Sequence, residues 1–174
     1  MHFLSRVLCL SALCSVSLVS CAAPGGSPPN DSRWSGVADE DDPRSVGARA
    51  VLAAYFANDP AAMSEWLADD AKIKFNKDTA DKATFLANVS KDHELFSDIK
   101  PRGQIVTTLR YNCDVDFTNI WVAWTGKLRE TGQEVEVPLY MFMSWEDGKV
   151  VGINHLFDPG PIDEALESIG VEPY

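Results

Sequence analysis

From Ser45 onward, apolar residues recur first with the period of a helix and then with that of a strand. Ser45 stands where a helix cap is needed, Val46, Ala50, Val51, Ala54 and Tyr55 follow the helical repeat, and Asn58-Asp59-Pro60 ends it. Ala61 to Leu67 predicts a short second helix and Ala71 to Phe75 a brief strand. Thr79 to about Leu95 predicts a third helix, with Phe85, Leu86, Val89 and Phe96 on or near one face. Pro101 and Gly103 then mark a change to strict alternation that lasts to Asp158. Four strands fit it, over about 104–116, 118–128, 134–146 and 149–157. In the third of these, Val135, Val137, Leu139, Met141, Met143 and Trp145 share one face, which has to be covered. Glu130-Thr131-Gly132-Gln133 and Asp147-Gly148 supply turns, the second a strong hairpin signal. Three N-terminal helices ahead of a mainly antiparallel meander predict an α+β fold in which helices close over one face of a curved sheet.

Composition narrows the class. With 174 residues, 45% hydrophobic, the chain can build one core. Its net charge of −11, with no basic cluster, excludes nucleic acid and anionic lipid surfaces as natural partners. No Gly-rich phosphate loop, nucleophile elbow or paired-Cys motif occurs, so no cofactor is expected. Asp114 and Asp116 share a face but lack further oxygen ligands, so no metal is expected either.

The N-terminus reads as an address. Residues 1–20, with Arg6 ahead of a weakly apolar run from Val7 to Val19, predict a signal peptide too short to remain as a spanning helix. Leu18-Val19-Ser20-Cys21 resembles the bacterial lipobox, which implies acylation of Cys21, a lipid anchor as the only membrane contact and a place in the cell envelope. The outer membrane is implied for a Gram-negative source; the alternative is ordinary cleavage near Ala22 or Ala23 and secretion. Residues 21–44, rich in Pro, Gly, Ser and acid, predict a disordered linker ahead of a domain spanning 45–174. Cys9, Cys14 and Cys21 belong to the leader, which leaves Cys113 as a small hydrophobe without a disulfide partner.

Four strings in the domain, taken in order, carry a resemblance: Ala53-Ala54-Tyr55-Phe56-Ala57-Asn58-Asp59, Trp66-Leu67-Ala68-Asp69-Asp70-Ala71, Trp145-Glu146-Asp147-Gly148-Lys149-Val150-Val151, and Phe157-Asp158 followed by Leu166 and Gly170. Over about residues 46–170 the chain resembles the nuclear transport factor 2-like superfamily, in particular its SnoaL-like branch. The resemblance implies a cone-shaped, cystatin-like fold. It does not imply one activity, because that fold hosts isomerases, dehydratases, hydrolases, cyclases and binding modules. The acid–base positions of the family's ketosteroid isomerases fall on Val51 and Phe75, and those of its epoxide hydrolases fall near Trp124 and Gly126, none of which can do that chemistry. The last-strand position falls on His155.

His155 shares the apolar face of its strand with Val151, Ile153 and Phe157, and an imidazole there can act as a general base or orient a ligand. It can equally be a core histidine satisfied by one backbone partner. His93, beside Glu94 at a helix end, is expected to be solvated. Alternation assigns a cavity face, and hence a ligand-binding set, to Tyr55, Phe75, Tyr111, Trp124, Met141, Met143, Trp145, Ile153 and His155. Such a pocket suits a small apolar ligand. Trp121, Tyr140 and Phe142 share the other sheet face, a candidate surface for a homodimer. Three functions remain open: a lipid-anchored protein that binds an apolar or amphipathic molecule without catalysis, an isomerase, dehydratase or cyclase-type enzyme with His155 as base, and an assembly protein using its outer sheet face.

Overall fold

Three aspartates start the first three helices in the computed structural model, which describes residues 32–172. The signal peptide, Cys21 and the first part of the linker lie outside the described residues. Helix α1 (Pro43–Phe56) is capped by Asp42, whose carboxylate accepts from the Arg44 amide, and α2 (Pro60–Trp66) by Asp59, which accepts from Ala62. Asp81 caps α3 (Lys82–Leu95) through the Thr84 amide. Ser45, expected as a cap, lies inside α1 instead and is buried, its hydroxyl donating to the Asp39 carbonyl at 2.9 Å. The core-facing stripe of α1 is Ala48, Val51, Leu52 and Tyr55, at i, i+3, i+4 and i+7; Val46, expected in that stripe, is exposed.

Seven strands form one sheet: β1 (Gly36–Asp39), β2 (Leu67–Phe75), β3 (Asp78–Asp81), β4 (Phe96–Tyr111), β5 (Asp116–Leu128), β6 (Glu134–Glu146) and β7 (Lys149–Phe157). Their order is β1-β4-β5-β6-β7-β2-β3, antiparallel throughout except for the parallel β2–β7 pair. The four strands read from alternation are β4 to β7. β4 begins earlier than expected because Pro101 and Gly103, taken as its boundary, sit within it, beside interruptions in the β4–β5 ladder. Pro101 is tolerated there because β1 pairs only with residues 108–111, so the missing amide falls on an open edge. The two irregularities bend β4 and add twist, which curls the sheet around the helices.

Two short strands and a helix lie where alternation gave no signal. β1 falls in the stretch read as linker: four residues are too few to show a period, and what holds them is pairing with β4 together with the Arg110 ion pairs to Asp39 and Asp42. The folded part therefore begins upstream of residue 45. β3 pairs with β2 at its outer edge. A fourth helix, α4 (Gly160–Glu167), follows the sheet and buries Ala165 and Leu166. Cys113, read as a strand residue, sits in the β4–β5 turn, where Asp114 takes a positive φ of 59°.

The interior has two parts. One lies between α1, α2, α3 and the sheet, with Val51, Met63, Phe85, Ile120 and Ile153 among its members. The other lies at the opposite end of β5 and β6, where Phe96, Leu128 and Val135 meet Ala165 and Leu166 of α4.

Candidate functional site

Between these two parts the cone stays open as a cavity of about 390 Å³, a volume that accommodates a small organic molecule. Its walls are Val51, Leu52, Tyr55 and Phe56 of α1, Phe85, Val89 and Asp92 of α3, and the inner-face residues of β5, β6 and β7. β3 and α4 border it with Asp78, Thr79, Ile162 and Asp163. Most of the lining is aliphatic or aromatic, and its polar groups gather at two stations.

His155 is one station. It is 8% exposed, and its ring stacks on Phe75 with centroids 4.6 Å apart and planes 11° from parallel. Nδ1 lies 3.1 Å from the Lys74 carbonyl, which can only accept, so Nδ1 carries the proton and Nε2 the lone pair. Burial pushes the imidazole pKa down to about 4, leaving the ring neutral at physiological pH. Ile153 and Phe157 share its face as expected, but Val151 does not. The register of β6 on β7 shifts between Ser144 and Trp145, so Trp145 pairs with Val150, and Val150 enters the core in place of Val151.

The second station joins three elements. Trp124 of β5 donates its indole N–H to the Tyr55 hydroxyl at 2.8 Å, and Tyr55 of α1 donates in turn to the Asp92 carboxylate of α3 at 2.9 Å. The Trp124 indole leans over Gly126, where a Cβ would come within 2.7 Å of the ring. A glycine two residues along the same face is what gives the indole its place. Asp92 follows Phe85 and Val89 and precedes Phe96 at helical spacing, so it belongs to the buried stripe of α3. A carboxylate within an apolar stripe is the sequence signal that would have found it. His93, expected in solvent, instead donates from Nε2 to the Tyr55 carbonyl at 2.8 Å and meets the Tyr55 ring edge-on, tying α3 to α1.

Of the residues assigned to the cavity face, Tyr55, Phe75, Trp124, Met141, Met143, Ile153 and His155 line it. Tyr111 does not: it turns to the other side of the sheet, edge-on to Trp34 and Phe117. Trp145 faces inward but beyond the cavity, against Trp66 and beneath Gly47, where it ends a buried chain of hydroxyls. The direction of that chain follows from its last acceptor. Ser45 donates to the Asp39 carbonyl, so Thr108 donates to Ser45, Thr118 to Thr108, and the Trp145 indole to Thr118, over 2.8–2.9 Å contacts.

On the outer face, Trp121 and Tyr140 are paired across β5 and β6 with rings 5.2 Å apart, and Phe142 lies beside Tyr140. Ile105 and Leu156 extend this stripe onto β4 and β7, and Ile105, Trp121 and Leu156 are exposed.

Solved structures show the same architecture. A candidate isomerase from Bacillus subtilis superposes with a TM-score of 0.63 at 16% identity, covering 74% of this chain and 96% of its own. The fold is the nuclear transport factor 2-like cone. A nuclear transport factor 2-like protein from Burkholderia xenovorans matches with a TM-score of 0.58 at 15% identity, over 71% of this chain and 95% of its own. A candidate polyketide cyclase from Xanthomonas campestris matches with a TM-score of 0.59 at 17% identity, over 68% and 92%. At these identities the likeness establishes the nuclear transport factor 2-like fold and no more. No family model matches the chain. No curated protein matches it.

Proposed function

We propose that the domain is a small-molecule enzyme of the isomerase or cyclase type, moving a proton on a largely apolar substrate held in the cone. The observation that carries this reading is the presence, in one apolar cavity of about 390 Å³, of a neutral imidazole and a carboxylate–tyrosine pair. His155 is the base: with Nδ1–H donated to Lys74, its Nε2 lone pair can take a proton from a bound molecule. Tyr55 and Asp92 hold the substrate's polar group, and the Trp124 N–H fixes the Tyr55 hydroxyl in place. The isomerase and cyclase descriptions of the structural neighbours support the same class. The test is solvent exchange: a panel of apolar enolisable ketones in D2O, followed by NMR. Protein-dependent deuterium uptake that disappears in His155→Asn is the expected result.

A second reading, binding without catalysis, is favoured by one specific observation. The proton-bearing nitrogen of His155 is held by a backbone carbonyl, with no carboxylate to orient the ring, and a pKa of about 4 makes a weak base. Ligand binding with no deuterium uptake from any ketone would decide for it. In either case we propose that Leu18-Val19-Ser20-Cys21 places the domain on a lipid anchor in the bacterial cell envelope. We also propose that the Trp121, Tyr140 and Phe142 stripe is where two copies meet, as its exposed apolar character supports.

A further inference from the structure

Charge is unevenly distributed around the cavity. Asp92 stands in its wall, Asp78 of β3 and Asp163 of α4 border it, and no lysine or arginine lines it among the described residues. The two donors of the second station are directed at Tyr55 and Asp92, and His155 presents a lone pair, since its N–H is given to Lys74. What the two stations offer a guest is therefore acceptors. An anion entering the cone would shed its water and find carboxylates and lone pairs in exchange, at a net cost. A cation would find a carboxylate and, beside it, the aromatic faces of Tyr55, Phe56 and Trp124. The whole chain, at a net −11, adds a field that attracts cations and repels anions.

Resting on the reading that the cavity takes up a small molecule, we propose that its occupant is an organic cation: an apolar body bearing a basic nitrogen, with the ammonium group against Asp92 and the rings of Tyr55 and Trp124. The apolar body then extends along Met141, Met143 and Ile153 toward His155. Asp78 and Asp163 draw the cation in.

Three probes of one skeleton test this by calorimetry at pH 7: phenylbutylamine, phenylbutanol and phenylbutyrate. The amine should bind about tenfold tighter than the alcohol, with the carboxylate weakest. Asp92→Asn should bring the amine and the alcohol within about twofold of each other while leaving the alcohol's affinity in place. Because Asp92 also accepts from Tyr55, the double variant Asp78→Asn/Asp163→Asn provides a second measurement on residues outside that hydrogen-bonded pair. It should weaken the amine alone, by roughly twofold to threefold, and shrink its salt dependence. Equal binding of all three probes, or preference for the carboxylate, overturns the cationic assignment and leaves the cavity reading standing. Binding by none of the three removes both.

Discussion

Trp124 and Tyr55 meet through a 2.8 Å hydrogen bond between the indole N–H and the phenol oxygen, which joins the middle of the sheet to the first helix at the wall of the cavity. The contact decides what the cavity can do. It fixes the Tyr55 hydroxyl so that its proton points at Asp92, and it settles a donor that would otherwise be buried and unmet. Polarity in the cone is thus set by one directed relay ending in a carboxylate, with the lone pair of His155 as the second acceptor.

That contact depends on Gly126. A methyl group there would stand 2.7 Å from the Trp124 ring, too close for the indole to stay. Gly126→Ala should cost about 1–3 kcal/mol as an overpacking change and shift the Trp124 indole N–H resonance. An unchanged indole resonance and an unchanged midpoint in urea would show that the ring has room the structure does not indicate.

Removing the phenol oxygen tests the relay directly. Tyr55→Phe keeps the ring but strands the buried Trp124 N–H, at a cost of about 1–3 kcal/mol. The double-mutant cycle with Trp124→Phe should show coupling, since the second change relieves what the first strands. Denaturant unfolding of the four proteins measures it, and additive effects would mean that the hydrogen bond carries no net stability.

Much of this arrangement was legible in the chain, and the exceptions have physical causes. Alternation located β5, β6 and β7 and put Met141, Met143, Ile153 and His155 on the inner face, because a buried face forces period two. It failed at Tyr111 and Val151 for different reasons: β4 ends at Tyr111, whose side chain packs on the outer side of the sheet, while an irregularity in the β6–β7 ladder exchanges Val150 for Val151. Trp145 illustrates a third limit. Its face was read correctly, yet the cavity does not run the length of that face. β1 was hidden because four residues borrow their order from β4 and from ion pairs. Asp92 was passed over because acidic residues in helices are usually solvated, although its place in the Phe85, Val89, Phe96 stripe marked it. The cone as a whole was visible in four short strings, and the structure bears that resemblance out at the level of the fold.

Asp42 ties the N-terminal strand to the body of the domain. It caps α1, takes Arg44 through Nε, and accepts from Arg110 Nη1 at 2.8 Å, while Arg44 also pairs with Asp116. Chiefly through its hydrogen bond with Arg44, its pKa falls to about 2. A depressed carboxylate stabilises the fold above its unfolded pKa of 3.8, and that contribution fades as pH drops toward 2. Asp42→Asn should therefore lose about 1–2 kcal/mol at pH 7 and little at pH 2.5, as read by urea midpoints at both values. A uniform loss at all pH values would assign the effect to the cap alone.

His155 makes the opposite kind of acid-sensitive contribution, because here the neutral form is the one the fold prefers. Its pKa is lowered by burial from 6.5 to about 4, so between these values the unfolded chain binds a proton that the folded one does not. Stability from this group is complete above pH 6.5, declines as pH falls and is gone below pH 4; the full difference is on the order of 3 kcal/mol. His155→Asn keeps a donor for the Lys74 carbonyl and removes the titration, so its stability should be flatter than that of the parent between pH 7 and pH 4. The same window bears on the site. Protonation turns the acceptor at Nε2 into a donor, so binding that uses this lone pair should weaken toward pH 4 in the parent protein and not in His155→Asn. Parallel stability profiles for the two proteins would mean that the imidazole titrates as it does in water, and that His155 is open to solvent rather than enclosed against Phe75 and Phe85.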